Sequence, residues 1–368
     1  MKLETTVQKL KEAIGLVDRV AAKHMTLPVL SCIVIETSKN SVVIKATNLD
    51  IGVEVSLPAK TTEAGTIAVP ASIISSLVSQ LPNQAESVTL SVSSGNLTIT
   101  SSKSHGVIKT IPFEDFPSIP RVADGQEISL PSNLLVKGLT SVWYSASVSG
   151  VKPELSSVYV YRGTDFITCV ATDSFRLAEK KISVPASLAM NDILIPFKNV
   201  SEIVRLLEKM GDTVKVKLGK NLISFESNGI YAVSRVIDGV FPDYKQIIPK
   251  SFTTEVVALK QDFLNALKIS NIFSDKFNQV HISIDPKKKL FEVQTKNSDV
   301  GENKTAVDAA ITGDPIEINF NYKYIVDCFQ SIDADSVSLQ LSGMNRPMVI
   351  RPVSGDQTFM YLVMPMNR

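Results

Sequence analysis

The stretch VTLSVSSGNLTITS (Val88–Ser101) has two counterparts along the chain, VKVKLGKNLISFES (Val214–Ser227) and VSLQLSGMNRPMVIRP (Val337–Pro352). In each, apolar residues alternate with polar ones, a turn containing Gly or Asn follows, and a second such run comes after it. This arrangement is typical of two antiparallel strands joined by a tight turn. The starts are 126 and 123 residues apart, close to one third of the 368-residue chain. The pattern therefore predicts one β-hairpin in each third.

The residues before each hairpin also match. TIAVPASIISSLVSQLP, DILIPFKNVSEIVRLLEKM and PIEINFNYKYIVDCFQSI each read as a strand followed directly by a helix, with the change near Pro70, Pro196 and Phe320. Proline suits the first turn of a helix, where its missing N–H has no partner to lose. The sequence predicts the same strand-to-helix step three times.

A third match aligns Thr47, Thr172 and Thr295, and each third also opens with a second amphipathic helix. We therefore predict an α+β fold of three repeated domains, each with two helices packed on antiparallel sheet. The predicted domains are 1–125, 126–250 and 251–368, with polar joints at Arg121–Glu127 and Pro249–Thr254. Sheets that continue edge to edge would cover exposed strands, and a second chain could close the row into a ring.

The composition is that of an ordinary globular chain, with 44% hydrophobic and 20% charged residues. No apolar run is long enough for a membrane helix, and the first residues are too polar for a signal peptide. The three cysteines (Cys32, Cys169, Cys328) favour a reducing compartment and are expected to be buried apolar residues. These features predict a cytoplasmic protein.

The predicted helices carry more positive charge than the rest of the chain. Together the six helical segments have a net charge of +5, which leaves −4 on the remainder of a chain with a total of +1. Such helices could line a passage for a polyanion, with contacts to phosphates that are independent of base sequence. The alternative is the usual solvated mixture of charges on helix faces.

Motifs for catalysis are absent from the sequence. It has no Walker loop, no G-x-G-x-x-G, no H-E-x-x-H, no C-x-x-C and no G-x-S-x-G. The acidic stretch Asp333–Ser336 lies between a predicted helix and strand and is interpreted as a turn. No cofactor, metal site or catalytic residue is predicted, although carboxylates distant in sequence could still meet in the fold.

Over its whole length the chain resembles a known family, the bacterial DNA polymerase III beta subunits or sliding clamps. LPVL (Leu27–Leu30), ATDSFRLA (Ala171–Ala178), FPDYKQIIP (Phe241–Pro249) and YLVMPM (Tyr361–Met366) are similar to the family's motifs and occur in the same order. The resemblance implies a head-to-tail homodimeric ring that encloses duplex DNA, slides along it and is not an enzyme. It also implies a nucleoid-associated protein that makes the polymerase processive and is opened by a clamp-loader ATPase.

The resemblance further implies a docking pocket between the second and third domains. Its partners would be the DNA polymerase III alpha subunit, the clamp loader, other polymerases and repair proteins. Each would bring a short peptide in which glutamine precedes leucine and phenylalanine. The family pocket falls on Leu155, Thr172, Ser174, Phe175, Arg176, Leu177, Pro242, Gln246, Ile247, Phe277, Asn321, Tyr324, Asn345, Pro347, Val363, Met364, Pro365 and Met366. Their apolar members would take the leucine and the aromatic ring, and Arg176 is expected to hold polar groups of the peptide.

Two further sets of residues complete the expectation. The residues expected to face DNA are Lys9, Arg19, Lys23, His24, Lys198, Arg205 and Lys209. The dimer seam is expected to join Val107 and Ile108 of one chain to Ile272 and Phe273 of another, unless these side chains are simply core residues.

The sequence departs from the family pattern at several of these positions. Phe175 stands where histidine is frequent, and Gln246 replaces a frequent basic residue. His24 stands where an arginine near DNA is common, the loop at Ser149–Gly150 lacks charge, and the helix ASIISSLVSQL has no basic residue. These changes predict a more apolar pocket wall and weak DNA contact by the first domain.

Two other interpretations remain open at this stage. One is a three-repeat enzyme whose acidic groups converge only in the fold and need a divalent metal. The other is a clamp-like protein that keeps the docking pocket but does not encircle DNA.

Overall fold

A computed structural model describes residues 1–21, 27–39, 41–82, 87–185 and 190–366 of the chain. Within these ranges it has 26 strands and six α-helices. The first third holds β1 (Lys2–Thr6), α1 (Val7–Val17), β2 (Cys32–Thr37), β3 (Val42–Thr47), β4 (Ile51–Ser56), β5 (Lys60–Glu63), β6 (Gly65–Pro70), α2 (Ala71–Ser79), β7 (Ser87–Ser93), β8 (Asn96–Thr100) and β9 (His105–Ile108).

The other two thirds repeat this order closely, although the described residues of the second third contain one strand fewer. The second holds β10 (Gln126–Pro131), α3 (Ser132–Thr140), β11 (Ser157–Arg162), β12 (Phe166–Thr172), β13 (Arg176–Ser183), β14 (Ile193–Pro196), α4 (Phe197–Leu207), β15 (Thr213–Leu218), β16 (Leu222–Ser227) and β17 (Ile230–Arg235). The third holds β18 (Thr254–Leu259), α5 (Lys260–Ile272), β19 (Gln279–Asp285), β20 (Leu290–Asn297), β21 (Gly301–Ala306), β22 (Ala309–Gly313), β23 (Ile316–Asn321), α6 (Tyr322–Cys328), β24 (Ser336–Leu341), β25 (Met348–Pro352) and β26 (Phe359–Val363).

The repeated hairpins are confirmed: β7 pairs with β8, β15 with β16 and β24 with β25, all antiparallel. The strand-to-helix steps are confirmed as well, since α2 follows Pro70 and α4 follows Pro196 directly. In the third repeat the strand runs one residue past Phe320. Asn321 ends it and caps α6, because its side chain accepts a hydrogen bond from the Lys323 N–H.

The threonine match is right for two repeats and wrong by one residue for the third. Thr47 and Thr172 each end a strand, and each hydroxyl donates to the carbonyl oxygen four residues on. Thr295 instead faces α5 and donates to the Ser270 carbonyl at 2.9 Å. The longer turn between β20 and β21 shifts the alignment, so that Thr295 corresponds to Ala171 in strand pairing.

The described chain falls into two compact units, each holding two antiparallel sheets. The unit of residues 1–136 and 201–236 holds a five-stranded sheet, β5-β1-β7-β8-β9, and an eight-stranded one, β10-β15-β16-β17-β4-β3-β2-β6. The unit of residues 137–200 and 237–368 holds a nine-stranded sheet, β14-β11-β12-β13-β26-β25-β24-β18-β22, and a four-stranded one, β21-β20-β19-β23. Each long sheet joins strands of neighbouring repeats, as the edge-to-edge expectation required.

Apolar faces of helices and sheets form the core of each unit. In the first unit, α1 buries residues at helical spacing, among them Leu10, Ile14 and Val17. In the second, Phe263 of α5 packs against Phe291 of β20, with 5.3 Å between the ring centroids. The three cysteines are buried, as expected.

Candidate functional site

A rigid turn joins β12 to β13. The Thr172 hydroxyl accepts from the Ser174 N–H at 3.2 Å, and Asp173 Oδ1 accepts from the N–H groups of Phe175 and Arg176, both at 3.0 Å. These bonds hold Ser174 at a φ of 77°, in the left-handed region that non-glycine residues rarely adopt. As a result the Phe175 side chain stands 60% exposed beside the strand.

Arg176 is held from several sides by the protein itself. Its Nε donates to Asp173 at 3.0 Å, Nη1 to Asp327 at 2.5 Å and Nη2 to the Tyr144 carbonyl at 2.7 Å. The guanidinium lies over the Tyr324 ring, 4.6 Å from its centroid. Because these partners lie on separate elements of the unit, we interpret Arg176 as a positioning residue for the turn. The sequence did not reveal these partners.

The last strand lies beside this turn. In the pairing of β13 with β26, Arg176 is opposite Val363 and Leu177 is opposite Leu362. The Met364 N–H donates to the Phe175 carbonyl at 2.8 Å, and the Met366 N–H donates to the Asn319 carbonyl at 2.8 Å. Met364, Pro365 and Met366 are half-buried, so the segment after β26 forms a fixed ledge of apolar side chains.

The segment 237–248 packs on the same sheet. Phe241 and Tyr244 are buried in one apolar cluster with Leu177 and Leu362, and Met364 packs against it. The Tyr244 hydroxyl donates to the Glu179 carboxylate. Burial, followed by the adjacent carboxylate, raises the pKa of this hydroxyl. Tyr244 is an anchor of the site that the motif FPDYKQIIP contained but the sequence did not single out.

The other predicted pocket residues differ in exposure. Phe277 and Ile247 are exposed, Leu155 is buried, and Gln246 donates to Asp243 at 2.8 Å. Asn321 donates to the Phe277 carbonyl at 3.5 Å. Pro347 directly precedes Met348, which pairs with Val363, and Asn345 lies two residues before Pro347 in the same loop. Hydrogen bonds and apolar contacts therefore connect the turn 172–176 most strongly with the C-terminal ledge, Tyr324 and the segment 237–248.

The residues expected to face DNA differ in exposure and in their hydrogen-bond partners. Lys9, Arg19, Lys198 and Lys209 are exposed, whereas Lys23 and His24 lie outside the described residues. Arg205 donates to the Gly15 and Leu16 carbonyls at 2.7 Å each and to Glu202 at 2.8 Å. It therefore caps the C-terminal end of α1, where a cation is favourable.

Lys9, Arg205 and Lys209 also line one crevice of the first unit, about 730 Å³ in volume. Its floor contains Val55, Leu57 and Ile230. The crevice therefore brings Lys9 of α1 close to Arg205 of α4 and to Lys209, which lies just after α4.

Two of the expected seam residues lie on an edge strand, and the other two lie at the C-terminal end of a helix. Val107 is 60% exposed and Ile108 is buried, both on β9, the edge of the five-stranded sheet. Ile272, the last residue of α5, is 66% exposed, and Phe273 is half-buried. The exposed Val107 and Ile272 do not fit the core alternative, whereas Ile108 does.

In the described part of the chain, every helix is too short or too polar to span a membrane. Among the same residues no group of three or more histidine, cysteine or acidic side chains is arranged to hold a metal ion.

Comparisons with known proteins cover the whole chain. The family models for the N-terminal, central and C-terminal domains of the DNA polymerase III beta subunit match residues 1–120, 129–243 and 245–367. The beta sliding clamp of Synechococcus elongatus is 27% identical over 374 residues, which cover 100% of this chain and 99% of the relative.

Solved structures agree with this match. The DNA polymerase III beta subunit of Thermotoga maritima superposes with a TM-score of 0.94 at 26% identity, covering 100% of this chain and 99% of that one. A sliding clamp from Bartonella birtlesii, bound to griselimycin, gives a TM-score of 0.93 at 28% identity, with both chains covered in full. The predicted family and the α+β clamp fold are thus confirmed. The chain belongs to the DNA polymerase III beta subunit family, the beta sliding clamps, which are non-catalytic processivity factors.

Proposed function

We propose that two copies of the protein form a head-to-tail ring around duplex DNA, and that the ring tethers the replicative polymerase. The observation that supports the ring is that two sheet edges are left without a neighbouring strand in the single chain. Repeats one and two share the eight-stranded sheet, and repeats two and three share the nine-stranded one. The first repeat keeps β9 as a sheet edge and the third keeps β21, and pairing with a second copy would cover both of these edges.

DNA contact in this proposal comes from the helices. Their net positive charge would act on phosphates of any sequence, and weak contact is compatible with sliding. Arg205 would contribute mainly as a fixed charge, because its N–H groups are bonded to α1 and Glu202. A protein with this role belongs in the bacterial cytoplasm, at the nucleoid.

The docking site in this proposal is the surface formed by the turn 172–176, the ledge Met364–Met366 and the segment 241–247. Exposed Phe175 and Ile247 and half-buried Met364 offer apolar contacts on a backbone fixed by hydrogen bonds. A preformed site of this kind avoids the entropy of ordering itself on binding. Its partners would be the polymerase alpha subunit, the clamp loader, other polymerases and repair proteins. The bound griselimycin of the Bartonella relative is compatible with a ligand site on this fold.

Encirclement is tested on nicked circular DNA. The protein is placed on the circle by a bacterial clamp loader with ATP, and the complex is isolated by gel filtration. We expect the protein to stay with the circle and to leave when one restriction cut makes the DNA linear. Equal retention on both forms would refute a topological link, and a monomeric protein would refute the ring.

Docking is tested by fluorescence titration with a peptide that ends in glutamine, leucine, serine, leucine and phenylalanine. We expect a dissociation constant of about 1 μM, or about −8 kcal/mol. Met364→Asp and Ile247→Asp should each weaken binding by more than about tenfold, since they place a charge on an apolar contact. Val240→Asp is the matched control, because Val240 is in the same segment and 89% exposed. Arg176→Ala is a poor probe, since it also removes the bonds that hold the turn. Equal binding by all variants would place the peptide elsewhere.

A further inference from the structure

The crevice of the first unit, lined by Lys9, Arg205 and Lys209, has the size of a ligand site. Its volume of about 730 Å³ lies within the range of about 300–1,000 Å³ that is usual for such sites. Apolar side chains form its floor, and the buried ones are Ala13, Val55, Leu57 and Ile230. The crevice therefore combines an apolar floor with cationic side chains.

The second unit has a counterpart of this place. Val55 and Lys180 are equivalent, because each lies eight residues after the threonine that ends β3 or β12. Glu12 and Lys137 are equivalent as well, because Glu12 is the sixth residue of α1 and Lys137 is the sixth residue of α3. Val55 and Glu12 both line the crevice, so the counterpart lies at Lys180 and Lys137.

The chain fills this place in the second unit with its own ions. The Lys180 side chain is buried, and Asp356 Oδ2 lies 2.5 Å from Nζ of both Lys180 and Lys137. Asp356 belongs to the loop before β26, and Asn228, which lines the crevice, belongs to the matching turn before β17. One carboxylate and two ammonium groups thus occupy the place in the second unit.

The first unit leaves the same place open. Val55 ends at its Cγ atoms, whereas a lysine extends further through Cδ, Cε and Nζ, and Asn228 has no charge. Lys9 and Lys209 are exposed side chains of the lining. Among the described lining residues the one acidic side chain is Glu12, which accepts a hydrogen bond at 3.0 Å from the glutamine one turn before it. Positive charge is therefore in excess in the crevice.

We propose that the crevice binds a peptide segment of a partner protein in which an aliphatic residue lies beside acidic ones. The aliphatic side chain contacts the apolar floor. A carboxylate of the peptide pairs with Lys9 or Lys209, as Asp356 pairs with two lysines in the second unit. The proposal depends neither on the ring nor on the docking surface of the second unit.

The lining favours a carboxylate over a phosphate. Arg205 is the one guanidinium among the described lining residues, and it already donates to the Gly15 and Leu16 carbonyls and to Glu202. It therefore has no open pair of N–H groups for bidentate binding of a phosphate. DNA phosphates also carry no apolar group that would use the floor.

A nucleotide fits the crevice less well for a second reason. None of the described lining residues is aromatic, so a nucleobase finds no ring on which to stack. An acidic peptide with an aliphatic side chain uses both the cations and the floor.

The probe for this site is a fluorescein-labelled Asp-Leu-Asp-Leu-Asp peptide, and its binding to the full chain is followed by fluorescence anisotropy. We expect saturable binding that is at least about tenfold tighter than that of Asp-Ser-Asp-Ser-Asp, because leucine buries apolar surface that serine lacks. An excess of the unlabelled peptide that ends in glutamine, leucine, serine, leucine and phenylalanine should not displace the probe. Displacement by that peptide would place the probe on the docking surface of the second unit and refute the proposal.

Two kinds of variant separate the crevice from general attraction to a positive surface. Lys9→Glu and Lys209→Glu should each weaken binding by at least about fivefold, since each reverses a charge beside the peptide. Lys103→Glu is the matched control, because Lys103 is an exposed lysine of the same unit outside the crevice, and it should leave binding unchanged. Ser56→Trp keeps every charge and should weaken binding by at least about tenfold, because the indole occupies space above the floor.

Thermal unfolding of each variant shows that it is folded before it is titrated. Equal weakening by Lys103→Glu, or unchanged binding by Ser56→Trp, would reduce the effect to surface charge and overturn the proposal. Wild-type protein that does not bind the probe would overturn it too. Displacement of the probe by an equal concentration of a short DNA duplex would assign the crevice to DNA and refute the peptide.

Discussion

Asp356 should stabilise the second unit through a buried cation. Its Oδ2 lies 2.5 Å from Nζ of both Lys180 and Lys137, and the Lys180 side chain is only 3% exposed. Lys180 is on β13, and Asp356 precedes β26, so the pair spans the strands that join repeats two and three. Asp356→Asn removes the charge and leaves the Lys180 ammonium buried with no carboxylate at that position.

The expected loss is about 3–5 kcal/mol, the usual effect of breaking a buried ion pair from one side. Lys137 is 47% exposed, so Lys137→Met should lose only about 0–1 kcal/mol. The double variant Asp356→Leu with Lys180→Met should recover most of the loss, because no unpaired charge remains buried.

The assay is amide hydrogen exchange of β13 and β26, read by mass spectrometry, since it reports local free energies of opening. Wild type, both single variants and the double variant form the comparison. A similar loss for Asp356→Asn and Lys137→Met would refute the argument that burial of Lys180 sets the magnitude.

Three further predictions concern the same unit. Burial alone would raise the pKa of Asp356, but the two ammonium groups and Thr358 hold it well below its usual range. The Asp356 carboxylate should contribute fully to the free energy of unfolding above about pH 5, and this contribution should be lost as the pH falls below about 4. The difference in stability between wild type and Asp356→Asn should therefore shrink in acid. Gly313→Ala should lower the free energy of unfolding by about 1–3 kcal/mol, because Gly313 has a φ of 96° and a Cβ there would lie 1.9 Å from the Thr253 carbonyl oxygen. The control is Gly150→Ala, which adds its Cβ in open space and should leave stability unchanged. Equal melting temperatures for the two variants would contradict the prediction. Thr172→Val removes a 2.6 Å bond to the Arg176 carbonyl and should weaken peptide binding several-fold in the titration, whereas unchanged affinity would show that the turn holds without it.

The local patterns of the sequence determined the repeated architecture. Alternating hairpins, strand-to-helix steps at Pro70 and Pro196 and amphipathic helices depend on neighbouring residues, and their periods are visible in one chain. The motif ATDSFRLA likewise indicated the turn, because Thr and Asp side chains bond to backbone groups two to four residues away.

Other features depend on residues that are distant in sequence, and only the tertiary structure decided them. Arg176 reaches Asp327 across 151 positions and so helps to hold the turn, besides its predicted role toward a peptide. Arg205 reaches Gly15 across 190 positions and caps α1. No local pattern records such partners, since they depend on how the strands of different repeats pair.

Strand register is the clearest example of a feature that only the tertiary structure decided. A longer turn moved Thr295 out of line with Thr172 by one residue, and a one-residue shift exchanges the two faces of a strand. The sequence by itself therefore determined that the chain contains three similar repeats and which short motifs they carry. The pairing of strands across repeats decided which side chains meet, because hydrogen-bond geometry between strands fixes the register.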